Sequence, residues 1–393
     1  MNNSFGVIWK ITNYCNFACK YCHYSDEMHM KPGTMDLKLA ELFIKNISDS
    51  INYKNITFMF HGGEPLLVGL DYYEEIVHFQ KKYLKRKSYT NSFQTNGSLI
   101  NKELINFIKK NNFSLSISLD GPKKINDSNR IYKNGSGSFD TIINGLNILN
   151  SKKQKFNILV VYCDLMIDSR EMYFFFKELN GLITLDFLPM RANHETPFQV
   201  NYGYFLINLF NLWFNDPKCQ FDIRILSSII HSLLGLTPNL CVLRGSCITN
   251  SHLFSLDPYG NVYPCDNDTY SNVLLGNIQT NKIDDLFGNH SVRRKLSNFE
   301  IKKYQACHFC EWYPHCHGGC PDHYDVSKKQ NAYCEDYKKI FKHIRGTLEE
   351  HSILNNYRET NPENINKIPN KNLVNTIKKH PLYNHLEKLN KKS

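Results

Sequence analysis

No stretch of the sequence contains the roughly 18 to 20 uninterrupted apolar residues that a membrane-spanning helix needs. Residues 1–4 lead directly into a strand-like segment, without the apolar core of a signal peptide. These two absences predict a cytoplasmic protein that makes no membrane contact. Low-complexity sequence occurs only near the end, so 393 residues with an apolar fraction of 41% predict a globular body.

The sequence also lacks a nucleic-acid-binding motif and a basic stripe interleaved with aromatic residues. The formal net charge is +10, but residues 357–393 alone carry eight Lys or Arg against three Glu. The rest of the chain is only mildly basic, and we expect no nucleic-acid partner. An acidic or peptide partner is compatible with this charge balance.

Cysteine, in contrast, is abundant, with 13 residues. The cytosol keeps thiols reduced, so the cysteines predict metal or redox chemistry rather than disulfides. Cys163 and Cys219 stand apart from the others and are predicted to be packing residues.

Six short β-rich runs alternate with amphipathic stretches in the first half of the chain. The runs are 7–11, 56–60, 92–94, 114–119, 157–162 and 183–188. Helices are predicted after them, for example over 36–47 and over 101–110 with Asn101 as the N-cap. Six consecutive βα units predict a parallel sheet with right-handed crossovers. The apolar strands suit either an incomplete barrel or a doubly wound sheet.

The pattern changes after about residue 195. Helices are predicted over 202–214 and 222–236, followed by a region punctuated by Cys, Gly and Pro. We therefore predict a first domain over 1–200, a helical linker over 201–240 and a cysteine-rich domain over 241–350. A basic, partly disordered tail is expected over 351–393.

Cys15, Cys19 and Cys22 form C-x3-C-x2-C directly after the first predicted strand. Parallel α/β sheets place their chemistry at this end of a strand. A four-iron cluster held by three thiolates leaves one iron open, and an amino acid can chelate it through its amino and carboxylate groups. A structural zinc site with His23 or His29 as fourth ligand is the alternative.

The sequence CNFACKYC over residues 15–22 resembles the signature of the radical S-adenosylmethionine (SAM) superfamily. The resemblance continues through HGGEP at 61–65, QTNG at 94–97 and SISLDGP at 116–122. It implies a partial (β/α)6 TIM-like barrel, a [4Fe-4S] cluster on the three cysteines, and SAM as the second cofactor. The SAM contacts that it implies are Tyr21 against the adenine, Gly62, Gly63 and Glu64 at the amino group, and Ser118 and Arg130.

Eight further cysteines lie between residues 241 and 334, and their order resembles the SPASM domain of peptide-modifying radical SAM enzymes. The resemblance implies two auxiliary [4Fe-4S] clusters, which brings the total to three. The implied ligands are Cys241, Cys247, Cys265 and Cys320 for the first and Cys307, Cys310, Cys316 and Cys334 for the second. With four thiolates each, neither cluster has an open iron, which leaves electron transfer and folding support as roles. A pair of structural zinc sites is the alternative.

Asp266 follows Cys265 directly. In anaerobic sulfatase-maturating enzymes, which oxidise a Cys or Ser of a sulfatase to formylglycine, an Asp at this position is the catalytic base. A carboxylate beside a cluster is suited to take the proton that leaves after a radical step. A solvated loop acid is the alternative for this residue.

A second group of SPASM enzymes, the cyclophane-forming peptide maturases, resembles the chain over 186–195, 318–324 and 332–336. We therefore predict a radical SAM oxidoreductase that joins an aromatic ring to the β-carbon of a nearby residue in a ribosomally made precursor peptide. Sulfatase maturation is the alternative activity, and a zinc-binding scaffold is the non-enzymatic alternative. Besides the precursor peptide, an electron donor such as flavodoxin or ferredoxin is the expected partner.

Overall fold

The computed structural model of the chain describes residues 4–22, 24, 32–163, 167–191, 201–244, 253–266, 273–288, 307, 309–325 and 328–351. The chain divides into two compact units. Met1–Leu159 and Ile248–Phe299 form the first unit, and Val160–Cys247 and Glu300–Ser393 form the second. The cysteine-rich region is divided between both units, and the predicted domain bounds stay a prediction.

Strands and helices alternate six times in the first half of the chain, as predicted, and the fold class is α/β. The strands are β1 (Ser4–Thr12), β2 (Asn55–Gly62), β3 (Ser88–Thr95), β4 (Phe113–Ser118), β5 (Phe156–Tyr162), β6 (Leu182–Pro189), β7 (Asp222–Ile223), β8 (Leu253–Leu256), β9 (Asn261–Tyr263), β10 (Gly276–Asn277), β11 (Tyr324–Asp325) and β12 (Gln330–Asn331). The helices are α1 (Leu37–Asp49), α2 (Leu70–Tyr83), α3 (Lys102–Asn111), α4 (Lys123–Asn129), α5 (Phe139–Ser151), α6 (Ser169–Lys177), α7 (Tyr202–Phe214), α8 (Arg224–Leu233), α9 (Ile283–Gly288), α10 (Tyr313–Cys316) and α11 (Cys334–Glu350).

In the first unit, β1 to β5 pair in parallel and in chain order. The free edge of β1 is filled by β8, which pairs in parallel with Gly6 opposite Leu253. The antiparallel strands β9 and β10 extend the sheet beyond β8. The sequence pattern did not predict this return of the chain to β1.

The core of the first unit is aromatic and centres on the fully buried Trp9 of β1. Its ring stacks on Phe60 at 5.4 Å and meets Phe43 of α1 edge-on at 4.8 Å, measured between ring centroids. Burying a large aromatic side chain stabilises a fold by about 1.5–3 kcal/mol. Because side chains alternate along a strand, Lys10 points to the opposite face from Trp9. The pairing of β1 with β2 is irregular between Lys10 and Thr12, so the carboxyl end of β1 carries a charged group on that face and then a bulge.

In the second unit, β6 pairs in parallel with β7, and β11 and β12 form an antiparallel pair. Helix α7 has the bounds that the sequence predicted. It approaches α11 closely because Gly203 has no side chain; a Cβ there would lie 2.7 Å from the carbonyl oxygen of Asp336. Within the described ranges, the structure contains no helix with the length and apolar character of a membrane span.

Candidate active site

The loop after β1 carries Cys15, Cys19 and Cys22, all partly buried. Burial raises the pKa of Cys15 to about 12 and also raises the pKa of Cys19. The main-chain N–H of Phe17 opposes this effect, because it donates to Cys15 Sγ at 3.4 Å. Such thiols become thiolates when a metal ion replaces the proton. The loop therefore fits thiolate-bound iron.

The HGGEP loop after β2 closes against the cysteine loop through main-chain contacts. Gly63 N donates to Thr12 O and Glu64 N donates to Tyr14 O, each at 2.8 Å. A Cβ on Gly63 would lie 2.1 Å from Tyr14 O, and one on Gly62 would lie 2.3 Å from Thr12 O. Glycine is thus required for the approach of two protein backbones. The expected approach of the same glycines to SAM stays a prediction.

The carboxylate of Glu64 joins the HGGEP loop to the end of β3. Its Oε1 accepts from the Thr95 hydroxyl at 2.7 Å and from Leu66 N at 3.0 Å, and its Oε2 accepts from Asn96 N at 2.7 Å. Burial raises the pKa of Glu64, and these donors oppose that shift. Because three protein donors contact the carboxylate, Glu64 holds the HGGEP loop against the end of β3. Its predicted contact with SAM remains a prediction.

Tyr21, Asp120 and Arg130 form a buried polar group at the carboxyl end of β4. The Tyr21 hydroxyl donates to the Asp120 carboxylate and accepts from Arg130 Nη1 at 2.6 Å. Arg130 is 7% exposed, and its Nε has no hydrogen-bond partner within the described part of the chain. A buried guanidinium with an N–H to spare suits a carboxylate. Asp120 lies in the SISLDGP motif but was not among the predicted site residues.

Ser118, the other predicted SAM contact, ends β4. Its hydroxyl accepts a hydrogen bond from Gln94 Nε2 at 3.0 Å, which links the ends of β3 and β4. Its role towards SAM stays a prediction.

Asp266 lies in a polar cluster with the carboxyl end of β1. Its Oδ1 lies 3.1 Å from Lys10 Nζ and accepts from the Ser255 hydroxyl at 3.3 Å, and its Oδ2 accepts from the Tyr24 hydroxyl. Burial raises the pKa of Asp266, and Lys10 lowers it. The side chain is 12% exposed, so Asp266 is not a solvated loop acid. Burial, assisted by Lys10, lowers the pKa of the nearby His61 to about 4.

Four cysteines of the second unit line one cavity, and they are the set predicted for the second auxiliary cluster: Cys307, Cys310, Cys316 and Cys334. Burial raises the pKa of Cys316 to about 12 and that of Cys334 to about 11. Nowhere in the described ranges do three or more His, Cys, Asp or Glu side chains gather in a group that could hold a metal ion. Cysteine thiolates are the usual ligands of iron–sulfur clusters, and the four cysteines around this cavity match that ligand type.

The predicted first auxiliary set is described only in part. Cys265 belongs to the first unit, whereas Cys241 and Cys320 belong to the second. Burial raises the pKa of Cys241, and Arg224 lowers it. Three predicted or alternative ligands lie outside the described residues: Cys247, His23 and His29. The assignment of this set to one cluster stays a prediction.

The segments that suggested a cyclophane-forming enzyme make packing contacts within the second unit. Arg191 Nε pairs with Asp322 Oδ2 at 2.5 Å, and the Tyr333 hydroxyl donates to Met190 O at 2.6 Å. The buried ring of His323 lies 5.2 Å from the Tyr333 ring. Residues 192–195 lie outside the described residues. These contacts give the three segments a structural role within the second unit.

Comparison with known proteins agrees with this geometry. The model of the radical SAM superfamily matches residues 9–176, and that of the iron–sulfur cluster-binding SPASM domain matches residues 247–317. A cysteine-type anaerobic sulfatase-maturating enzyme of Clostridium novyi is 35% identical over 357 residues, which cover 85% of this chain and 93% of that protein. This chain belongs to the radical SAM family that contains these enzymes.

Other relatives of this radical SAM enzyme support the same grouping. A serine-type anaerobic sulfatase-maturating enzyme of Bacteroides thetaiotaomicron is 28% identical, over 84% of this chain and 86% of that protein. A solved structure of native anSMEcpe with bound AdoMet and Cp18Cys peptide is 28% identical and has a TM-score of 0.77, covering 90% of this chain and 99% of that one. The structure of Streptococcus suis SuiB is similar in fold alone. It is 17% identical and has a TM-score of 0.57, covering 81% of this chain and 73% of that one.

Family membership confirms several predictions. The radical SAM enzyme is an oxidoreductase of the predicted fold class, and its cofactors are SAM and [4Fe-4S] clusters. The geometry also identifies two side chains that the motifs did not reveal as important, Lys10 and Asp120. The sequence did not identify Lys10 as a site residue, because a single lysine in an apolar strand has no distinguishing pattern.

Proposed function

We propose that this radical SAM enzyme oxidises a Cys side chain of a sulfatase peptide to formylglycine in the absence of oxygen. The observation that carries the proposal is the similarity to a cysteine-type anaerobic sulfatase-maturating enzyme over 93% of that protein's length. The serine-type relative is less similar, at 28% against 35% identity, which favours Cys over Ser as the target. A peptide or protein substrate is supported by the related structure that holds a bound peptide.

The cyclophane crosslink, which was the main prediction from the sequence, is not confirmed. The curated relatives favour the alternative that the sequence also offered. Residues of the segments that suggested the crosslink contact one another, through the ion pair of Arg191 with Asp322 and the hydrogen bond from Tyr333 to Met190 O. A crosslink and an aldehyde are different products, and mass spectrometry distinguishes them.

In this proposal, Cys15, Cys19 and Cys22 hold the SAM-binding cluster. When bound, the cofactors would supply one-electron chemistry, which takes a hydrogen atom and then one electron from the substrate. Arg130, whose Nη1 donates to Tyr21 and whose Nε–H is available, would bind the carboxylate of SAM. An electron donor such as flavodoxin or ferredoxin is the proposed protein partner.

Asp266 is the proposed proton acceptor. After a hydrogen atom has left the Cys β-carbon, loss of the thiol proton and of one electron forms the C=S bond of a thioaldehyde. Water then replaces the sulfur, which leaves as hydrogen sulfide, and the aldehyde remains. Lys10 and Ser255 hold Oδ1 of Asp266, and the Tyr24 hydroxyl meets Oδ2. Three contacts from separate segments fix the carboxylate in one orientation, which general-base catalysis requires.

The test uses enzyme reconstituted anaerobically with iron and sulfide, SAM and a chemical reductant. It is given a sulfatase-motif peptide with Cys at the target position, the matched Ser peptide, and an aromatic-rich peptide without the motif. We expect an aldehyde on the Cys peptide, detected by hydrazide capture and mass spectrometry. A crosslink on the aromatic-rich peptide without any aldehyde would contradict the proposal.

The Asp266→Asn variant tests the proton acceptor. It keeps the shape of the side chain but removes its basicity, so we expect it to cleave SAM while it forms little aldehyde. Asp257→Asn, in the turn between β8 and β9, is the matched control and should retain aldehyde formation. Full aldehyde formation by Asp266→Asn would remove Asp266 from this role.

A further inference from the structure

The end of β3 places Asn96 against the cysteine loop. Asn96 Nδ2 lies 3.9 Å from Cys15 Sγ and donates to Asn16 Oδ1 at 2.8 Å. Asn96 is 6% exposed, and its main-chain N–H donates to Glu64 at 2.7 Å. Both the backbone and the side chain of this residue are therefore held in place.

The orientation of the Asn96 amide follows from its other contacts. Its Oδ1 accepts from Ser98 N at 2.9 Å and from the Ser98 hydroxyl at 2.7 Å. A main-chain N–H can only donate, so the amide oxygen must lie on that side. The NH2 group must then face Asn16 and Cys15. Asn16 Nδ2 donates to the Ser98 hydroxyl at 2.8 Å and closes the ring of hydrogen bonds.

An N–H group directed at a thiolate favours negative charge on the sulfur. Reduction adds negative charge to an iron–sulfur cluster, and hydrogen bonds to its sulfurs are among the properties that set its reduction potential. The second donor to Cys15 is the main-chain N–H of Phe17, at 3.4 Å, and a substitution of the side chain does not remove it. Asn96 therefore offers an N–H···S contact that mutation can delete.

We propose that Asn96 is a positioning residue that raises the reduction potential of the SAM-binding cluster through its N–H···S contact with Cys15. This inference rests on the proposed role of Cys15 as a cluster ligand. Asn96 belongs to the QTNG motif at 94–97, and this proposal gives the motif a role that the proposed function does not include.

The test compares Asn96→Leu with a matched control. Leucine has about the same size and donates no hydrogen bond, whereas Ser98→Ala breaks the same ring but leaves the N–H facing Cys15. Each protein is reconstituted anaerobically, assayed for iron and sulfide, and titrated potentiometrically with detection by electron paramagnetic resonance. We expect the equilibrium constant for cluster reduction to fall about tenfold in Asn96→Leu, a potential lower by about 59 mV. Ser98→Ala should match the wild type.

A second variant keeps the proposal testable if Asn96→Leu binds too little iron. Asn96→Asp still accepts from Ser98 but directs an oxygen at the sulfur, so it should lower the potential at least as far. Wild-type potentials in the Asn96 variants, or an equal shift in Ser98→Ala, would overturn the proposal. If the wild-type enzyme itself shows no cluster signal that responds to SAM, the ligand role of Cys15 fails instead, which separates the two errors.

Discussion

Replacement of Gly63 by Ala tests whether the HGGEP loop depends on contact between two backbones. The new Cβ would lie 2.1 Å from Tyr14 O and 2.5 Å from Tyr14 C. Both neighbours are main-chain atoms, which cannot rotate away as a side chain can. Because non-bonded carbon contacts prefer about 3.5 Å, the HGGEP and cysteine loops must separate by about 1 Å or more.

The cost of this separation follows from the contacts that it breaks. Two hydrogen bonds of 2.8 Å, Gly63 N to Thr12 O and Glu64 N to Tyr14 O, are lost or stretched. Each contributes about 1 kcal/mol, and forced overpacking costs about 1–3 kcal/mol more. We expect Gly63→Ala to lower the free energy of unfolding by about 3–5 kcal/mol, a large part of the roughly 5–15 kcal/mol available to a folded protein. Displacement of the cysteine loop should also reduce iron retention.

Urea unfolding followed by circular dichroism measures the first effect, and iron per chain after anaerobic reconstitution measures the second. Gly346→Ala in α11 is the control, because a Cβ there meets nothing within 4 Å. The control should be neutral or stabilised by up to about 1 kcal/mol, since Ala favours a helix more than Gly does. If Gly63→Ala unfolds within about 1 kcal/mol of the wild type and keeps its iron, close contact of the two backbones is not required for the loop.

Three further substitutions give separate tests. Tyr21→Phe removes the hydroxyl that accepts a hydrogen bond from Arg130. We expect the affinity of the reconstituted enzyme for SAM, measured by equilibrium dialysis, to fall about tenfold. Unchanged affinity would exclude this role for Tyr21. Asp322→Ala leaves the largely buried Arg191 without its ion-pair partner Asp322, so we expect the free energy of unfolding to fall by about 3 kcal/mol. A fall of less than about 1 kcal/mol would contradict the importance of this ion pair. Burial lowers the pKa of His61 to about 4 in the folded chain, against an ordinary value of 6.5. Between these two pH values, the unfolded chain binds a proton at His61 that the folded chain does not. The stability present above pH 6.5 is therefore lost as the pH falls towards 4. Between pH 6.5 and 5 this loss is about 2 kcal/mol, and urea unfolding of His61→Gln should show a correspondingly smaller decline.

The first-half architecture was predictable because its signals are local. Apolar runs of strand length alternate with amphipathic helices, and Asn101 accepts from Leu104 N at 2.8 Å as the predicted N-cap. The pairing of β8 with β1 was not predictable, because a four-residue strand carries little periodicity and its partner lies about 250 residues away in sequence. The division of the cysteine-rich region between two compact units follows from that pairing.

The candidate site was predictable in residue type but not in contacts. The motifs identified Glu64 and Arg130, yet which donors reach the Glu64 carboxylate depends on how β2 and β3 lie side by side. Sequence similarity also assigned functional meaning to Asp322 and Tyr333. Their partners lie more than 100 residues earlier in the chain, and only the folded structure shows the ion pair of Asp322 with Arg191 and the hydrogen bond from Tyr333 to Met190 O.

The pairing of β1 with β8 has a consequence for synthesis of the protein. Residues Gly6 to Trp9 leave the ribosome long before their partners Leu253 to Leu256. At about 5–20 residues per second, this edge waits about 10–50 s for its neighbour. A bare strand edge can recruit another nascent chain, so chaperone capacity during translation should limit the yield of native protein.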